Sequence, residues 1–315
     1  MHKNDLRLSH LFPQLSPFSQ RTENSSIMLQ GGLGNQISIL LAAFTSCTNS
    51  KMDAYLDIAH LQHHSAAWEN TFLGFSFINS DLSARERQRI FDTREKTCTC
   101  ALNFVFRNNR QSTNLSISDS GYVGMIPLTG SGGQFTGDFQ SYRYFDQAVN
   151  SFEGSISSSP LNSSPAYQKT IDMISRKSTL GIHLRRGDYQ NNPKHWGMLT
   201  NKYYEEALNQ FCFDKFDLIL LFSDDKHVES PLAIDSRHQT TLERSNKFGV
   251  LSVVEEHSVF SLCKYQIIAN SSFSWSAAVL SKNTEVVYPK PWFAVSCNFT
   301  DQFRLDWRSC QSGFS

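Results

Sequence analysis

The sequence predicts an α/β protein built on a doubly wound parallel sheet, and three observations carry that prediction. Short apolar runs alternate with helix-patterned runs across residues 179–288, the rhythm of strand–helix–strand units. The run "DLILLF" (217–222) is apolar on both faces, as a strand in the middle of a parallel sheet must be. The N-terminal part opens in the same way, with "IMLQ" (27–30) leading through "GGLGNQ" (31–36) into "ISILLAAF" (37–44).

Taken in order, "IMLQ" reads as a first strand, "ISILLAAF" as an apolar helix and "MDAYLD" (52–57) as a second strand. Beyond about residue 60 the pattern is less legible. "HLQHH" (60–64) reads as a solvated helix face. "SFEGSISSSPLNSSP" (151–165) has seven serines, two prolines and little to bury, and reads as a linker. After it come strand "TLGIHL" (179–184) and helix "NKYYEEALNQF" (201–211), capped by Thr200 or Asn201. Strand "DLILLF", helix "SVFSLCKY" (258–265), strand "QIIA" (266–269), helix "SWSAAVL" (274–280) and strand "EVVY" (285–288) complete the series. The domain plan expected is a polar tail (1–26), an N-terminal domain (27–150), a Ser-rich linker (151–166) and a C-terminal domain with its tail (167–315).

Composition excludes some functions. The 315 residues carry 29 basic and 29 acidic side chains, so nucleic-acid binding by bulk phosphate attraction is not expected. An anion would have to be held by a few placed groups. The seven cysteines form no C-x-x-C pair, and Cys98-Thr-Cys100 has no His-rich partner segment, so zinc is not expected. Free thiols suit an intracellular protein, while five N-x-S/T sequons (Asn24, Asn114, Asn162, Asn270, Asn298) would permit a luminal one. No apolar run approaches the ~20 residues that span a bilayer, and the first 26 residues lack a signal-peptide core. A soluble chain is expected, with a removed N-terminal anchor left open.

The chemistry collects just after strands. Arg185, Arg186, Gly187 and Asp188 follow the first strand of the C-terminal part, Ser223, Asp224 and Asp225 the second, and Asn270, Ser271, Ser272 and Phe273 the third. In an open parallel sheet these carboxyl ends line one edge, where ligands bind. Guanidinium groups give permanent, fork-shaped donors suited to phosphate oxygens. "NSSF" and "GGLGNQ" each open a helix, whose free N–H groups and dipole favour an anion. The site suits a phosphorylated small molecule such as a nucleotide. Other readings stay open: Arg185 and Arg186 also fit a structural ion pair with Asp188, Asp224 and Asp225 a helix cap, His183 a core histidine, and GGLG a plain strand-to-helix turn.

These motifs, in this order, resemble the inverting α-1,2-fucosyltransferases of glycosyltransferase family 11. "GGLGNQ" (31–36), "GDFQSYRYF" (137–145), "HLRRGDY" (183–189), "FSDD" (222–225), "NSSFSWS" (270–276) and "PKPWF" (289–293) carry the resemblance. Two departures stand out. Ser276 replaces the second tryptophan of the family's N-S-T-F-S-W-W, and "QISILLA" replaces an aromatic-bearing "QMFQYA".

The resemblance implies a GT-B architecture of two facing Rossmann-like domains, with no metal and no cofactor beyond the donor. It implies transfer of L-fucose from GDP-β-L-fucose to O2 of a galactoside with inversion, a galactoside 2-α-L-fucosyltransferase activity. Arg185, Asn35 and Asp188 are then the catalytic residues: Arg185 for the β-phosphate, Asn35 near the sugar, and Asp188 as base with His195 second. Arg186, His183, Asp225 (or Asp224), Ser271, Ser272, Phe273 and Gly34 join them in binding GDP-fucose. The implied partner is a galactose-terminated, lipid-linked acceptor met at the cytoplasmic face of a membrane, or in the Golgi lumen if an anchor has been lost. The alternatives are a protein O-fucosyltransferase and a non-catalytic nucleotide-sugar binder.

Overall fold

The computed structural model describes residues 26–51, 53–57, 115–117, 134–152, 164–191, 193–225, 240–281, 284–294 and 301–314. The chain divides into two compact units, Met1–Ser159 and Pro160–Ser315. The His-rich run 60–64, residues 1–25, Cys98, Cys100, Cys297 and the sequons at Asn24, Asn114, Asn162 and Asn298 lie outside the described residues.

Unit 1 contains β1 (Ser26–Met28), α1 (Leu33–Ser50), β2 (Tyr55–Asp57), β3 (Leu115–Ile117), β4 (Gln134–Gly137) and α2 (Tyr142–Phe152). Its strands run parallel in the order β2-β1-β4-β3. Helix α1 runs well past the expected 37–44, and nearly every residue from Leu33 to Cys47 is buried. A helix apolar all round belongs in the interior. It ends at Lys51, which adopts a left-handed conformation (φ 55°) and returns its N–H to the carbonyls of Cys47 and Thr48.

Unit 2 contains α3 (Pro165–Ser175), β5 (Thr179–Leu184), α4 (Pro193–Trp196), α5 (Asn201–Leu208), β6 (Leu218–Ser223), β7 (Thr241–Arg244), α6 (Val253–Ser261), β8 (Tyr265–Ile267), α7 (Ser272–Leu280), β9 (Glu285–Lys290) and β10 (Arg308–Gln311). All six strands are parallel in the order β10-β9-β8-β5-β6-β7. Numbered within the unit, this is the 3-2-1-4-5-6 order of the doubly wound fold, which reverses direction between β5 and β8.

Alternation along β5 assigns its faces. Leu180, Ile182 and Leu184 pack with Tyr203, Tyr204, Ala207 and Leu208 of α5. Gly181 and His183 point the other way: a Cβ on Gly181 would meet Cys263 and Phe260, and His183 lies against Phe260 and Phe273. Helices thus cover both faces, and every residue of β5 is buried.

The structure moves several expected boundaries. The segment expected as linker (151–166) is helical at both described ends, since α2 runs to Phe152 and α3 starts at Pro165 behind its cap Ser164. The helix expected at 258–265 is shifted to Val253–Ser261, and Tyr265 belongs to β8. The C-terminal tail contributes β10, paired with β9 from Arg308–Val287 to Gln311–Lys290.

Candidate active site

The three polar clusters of unit 2 meet at the carboxyl edge of the sheet because β5 lies between β6 and β8. Hydrogen bonds tie them together. Asp224, just past β6, accepts from the backbone N–H of Arg186 (2.9 Å) and pairs with Arg185 Nη1 (2.8 Å). Tyr189 donates its hydroxyl to the Asn270 carbonyl (2.6 Å), and Asn270 Nδ2 donates to the carbonyls of Trp196 (2.8 Å) and Gly197 (3.0 Å). Gly187 is required by this closeness: a Cβ there would stand 2.3 Å from Asp224 Oδ2.

Arg185 is the centre of the arrangement. Its Nη2 donates to Asp188 Oδ1 at 2.5 Å, its Nη1 meets Asp224, and its guanidinium lies 5.1 Å from the centre of the Tyr189 ring. Nε is buried and has no partner. The ion-pair reading therefore describes this state of the loop, with Asp224 as a second counter-ion that neighbour-to-neighbour reading of the sequence does not reveal. Arg186 is built into the loop: Nη1 donates to the Leu199 carbonyl (2.7 Å) and its guanidinium lies near the Tyr204 ring. Asp225 stands one step further out, its carbonyl accepting from Arg244 (3.1 Å). Of the acidic pair, Asp224 is the one joined to the arginine loop.

His183 is buried, with Nδ1 unpartnered. Burial, and then the charge of Arg185, lower its pKa to about 3 against the pull of Asp224, so the ring is neutral beside the guanidinium. Phe273, expected at the diphosphate, lies between two imidazoles, His183 at 5.1 Å and His257 at 5.3 Å. Nothing in the sequence alone singles out His257. Burial, then the neighbouring His183, lower its pKa to about 3. Its Nε2 is 2.8 Å from Ser276 Oγ, and that hydroxyl donates to the Phe273 carbonyl (3.1 Å). With the hydroxyl proton so used, the imidazole carries its proton on Nε2. Ser276, the departure from the family pattern, is thus part of a buried polar pair behind Phe273.

Ser271 caps α7 without any side-chain capping bond, and Ser272 is the first residue of the helix. The N–H groups of that first turn point toward the edge where Asn270 joins the arginine loop. His195 is exposed and packs edge-on against Trp196 at 4.5 Å. The Asn270 sequon is buried, its amide committed to the two carbonyls above. Among the described residues, Cys47, Cys212, Cys263 and Cys310 are free thiols. No group of three or more metal-ligating side chains is found among the described residues, and none of their helices is long and apolar enough to cross a membrane.

In unit 1, Gly31 takes φ +72° and a Cβ on it would stand 2.3 Å from Asn35 Nδ2, so the glycine turn and Asn35 fit together. Gln140 Nε2 donates to Asn35 Oδ1 (3.0 Å), and Gln30 Nε2 lies 3.4 Å from Asp138 Oδ1. Burial raises the Asp138 pKa, partly offset by that Gln30 bond. Phe139 beside it holds φ +49°, a costly conformation for an aromatic residue. Gly34 is buried in the first turn of α1, its carbonyl accepting from Ser38 (2.9 Å).

Residues 163–310 match the family described as Glycosyl transferase family 11. The matched region includes the arginine loop, the acidic pair and the Asn270–Ser276 segment. An O-antigen biosynthesis glycosyltransferase of Escherichia coli, WbnK, is 33% identical over 135 residues, which is 41% of this chain and 43% of that protein. An alpha-1,2-colitosyltransferase of Escherichia coli is 25% identical over 283 residues, 84% of this chain and 91% of that protein. No solved structure matches.

Proposed function

We propose that this protein is an enzyme of the GT-B class that transfers L-fucose from GDP-β-L-fucose to O2 of a galactoside, with inversion and without a metal. The observation that carries the reading is Arg185: a guanidinium just past the end of β5, against the Tyr189 ring whose hydroxyl bonds Asn270 ahead of α7, with Nε buried and unpartnered.

The reaction breaks the bond from the sugar C1 to the β-phosphate oxygen, and the bonding electrons leave with GDP. Arg185 and the first-turn N–H groups of α7 are donors aimed at the charge that develops there. His183, held neutral, supplies a hydrogen bond without competing for the anion. Ser271 and Ser272 add hydroxyls, and Asp225 faces the nucleoside. Asn35, beside the glycine turn, is assigned to orient the sugar. The acceptor O2 forms the new bond to C1 as its proton passes to a carboxylate. Asp188 fills that role once a diphosphate takes its place on the guanidinium: donor binding then frees the base. A galactose-terminated, lipid-linked glycan at the cytoplasmic face of a membrane is the proposed acceptor, in line with the O-antigen role in the name of one relative.

A second donor is favoured by the other relative, named for colitose, a sugar that differs from L-fucose by the missing 3-hydroxyl. The test is transfer from GDP-fucose and from a GDP-3,6-dideoxyhexose to a galactoside panel, with and without EDTA, followed by linkage analysis of the product. An α-1,2-fucosylated product, undiminished by chelator, is expected. Transfer of the dideoxy sugar alone assigns the second donor. Activity lost to EDTA and restored by Mg²⁺ or Mn²⁺ overturns the arginine-for-metal argument.

A further inference from the structure

We propose that Trp196 and Phe293 form an aromatic platform on which the C–H face of a hexose stacks, beside the diphosphate site on which this inference rests. Starting at Arg185, rings follow one another away from the guanidinium. Tyr189 lies 5.1 Å from it, Trp196 stacks on Tyr189 (centroids 5.8 Å, planes 21° apart), and Phe293 meets Trp196 edge-on at 5.5 Å. These residues come from three parts of unit 2: the loop after β5, the end of α4 and the segment after β9. All three lie toward the carboxyl edge of the sheet.

The rings differ in what they face. Tyr189 is 9% exposed and Trp292, 6.2 Å behind Phe293, is 5% exposed. Trp196 and Phe293 are only half-buried. The buried pair backs the row and the half-buried pair finishes it toward solvent. The backing is rigid. Asn270 holds the Trp196 carbonyl at 2.8 Å, Tyr189 holds Asn270 in turn at 2.6 Å, and Trp292 packs on Phe303 at 5.1 Å. Asn270 belongs to the segment that presents the α7 N-terminus, so platform and anion site share one hydrogen-bonded frame.

A rigid aromatic pair next to an anion site suits a sugar phosphate. An aromatic face is electron-rich, and a pyranose turns a patch of polarised C–H bonds to such a face while its hydroxyls stay in water. The methyl group of a 6-deoxyhexose adds apolar area. The hexose can come from the donor or the acceptor, and the chemistry of stacking is the same for both.

The experiment uses the full chain with Trp196→Ala, Phe293→Ala and Trp196→Phe. Calorimetry gives Kd for GDP and for GDP-fucose, and kinetics at saturating donor give KM for a galactoside. The expected result is an unchanged GDP Kd in all variants. Against it, the alanine variants weaken either GDP-fucose Kd (donor stacking) or galactoside KM (acceptor stacking) about three- to tenfold, as aromatic contacts do, and Trp196→Phe restores most of the loss. Phe293→Ala carries the test if Trp196→Ala does not fold. Equal weakening of GDP and GDP-fucose, or no change in either sugar parameter, overturns the platform while leaving the nucleotide site standing. A wild-type chain that binds no GDP overturns both.

Discussion

Two of the three guanidinium nitrogens of Arg185 end on carboxylates and the third has none, yet the two carboxylates are not equivalent. The Asp188 side chain is 64% exposed, whereas that of Asp224 is 25% exposed and is also fixed by the Arg186 backbone N–H. In the proposed mechanism an incoming oxyanion displaces the exposed partner and keeps the fixed one as an aiming device. Arg185→Lys keeps a charge but loses the planar fork. A donor aimed at developing charge contributes about 10²–10³ in rate, so kcat in Arg185→Lys is expected to fall by that factor while the melting temperature holds. Near-normal turnover, or a collapse of folding in its place, would return this arginine to a purely structural role. The arginine motif was legible in the sequence, with its diphosphate and ion-pair readings side by side. The role of Asp224 in it was not. Asp224 lies 38 residues from Arg186, and only the pairing of β5 with β6 brings the two together.

At the scale of elements, strands read more sharply than helices. β5 was expected at 179–184 and lies there residue for residue, because a run buried on both faces has little choice of register. Helix α6 was expected five residues too late. Its start is written in Ser252-Val-Val-Glu255, a capping box in which Ser252 Oγ accepts from Glu255 N–H and Glu255 accepts from Ser252 N–H at 2.8 Å; attention to the apolar residues alone passes over it. Glu255 does more than the box requires, since its other oxygen accepts from the backbone N–H of Ser164, the cap of α3, at 2.6 Å. One carboxylate therefore holds the start of two helices. Burial raises its pKa, but the bonds from Ser164 and Ser252 outweigh this and leave it lowered. A lowered carboxylate contributes stability that is present above its unfolded pKa and is lost as pH falls through the folded value. Glu255→Ala is expected to destabilise unit 2 by ~1–2 kcal/mol at pH 7, the loss of a cap, with the difference from wild type closing at acid pH. Urea melts at two pH values check it; a gap that persists in acid would show that packing, and not charge, was lost.

For the whole molecule, the two units carry buried titratable groups of opposite sense. Unit 2 holds His183 and His257, both depressed to about 3 by burial. Between the ordinary histidine value of 6.5 and that depressed value, the unfolded state binds more protons, so stability is full above the former and drains away as pH falls. Glu256, raised by burial, works against this within the same unit, since a raised carboxyl favours the folded state in acid. Unit 1 holds Asp138, raised by burial, which favours its folded state at lower pH and opposes it as pH rises. On acidification from pH 7 to 4.5, the unit 2 transition in calorimetry is expected to fall by at least ~4 °C, and His257→Gln to flatten that slope. A slope unaltered in the variant would assign the acid sensitivity elsewhere. The central place of β5 has one more consequence, in the time domain. Its amides are paired on both sides, to β6 and to β8, so those of Gly181 and Ile182 are expected to exchange with deuterium only when unit 2 opens globally. Gly187, a few residues on, lies in a loop and is expected to exchange orders of magnitude sooner. The guanidinium is thus mounted where slowly exchanging strand gives way to loop, close to an anchor that stays still. A deuterium-uptake profile that rose smoothly from Leu180 to Asp188, without a step after Leu184, would contradict it.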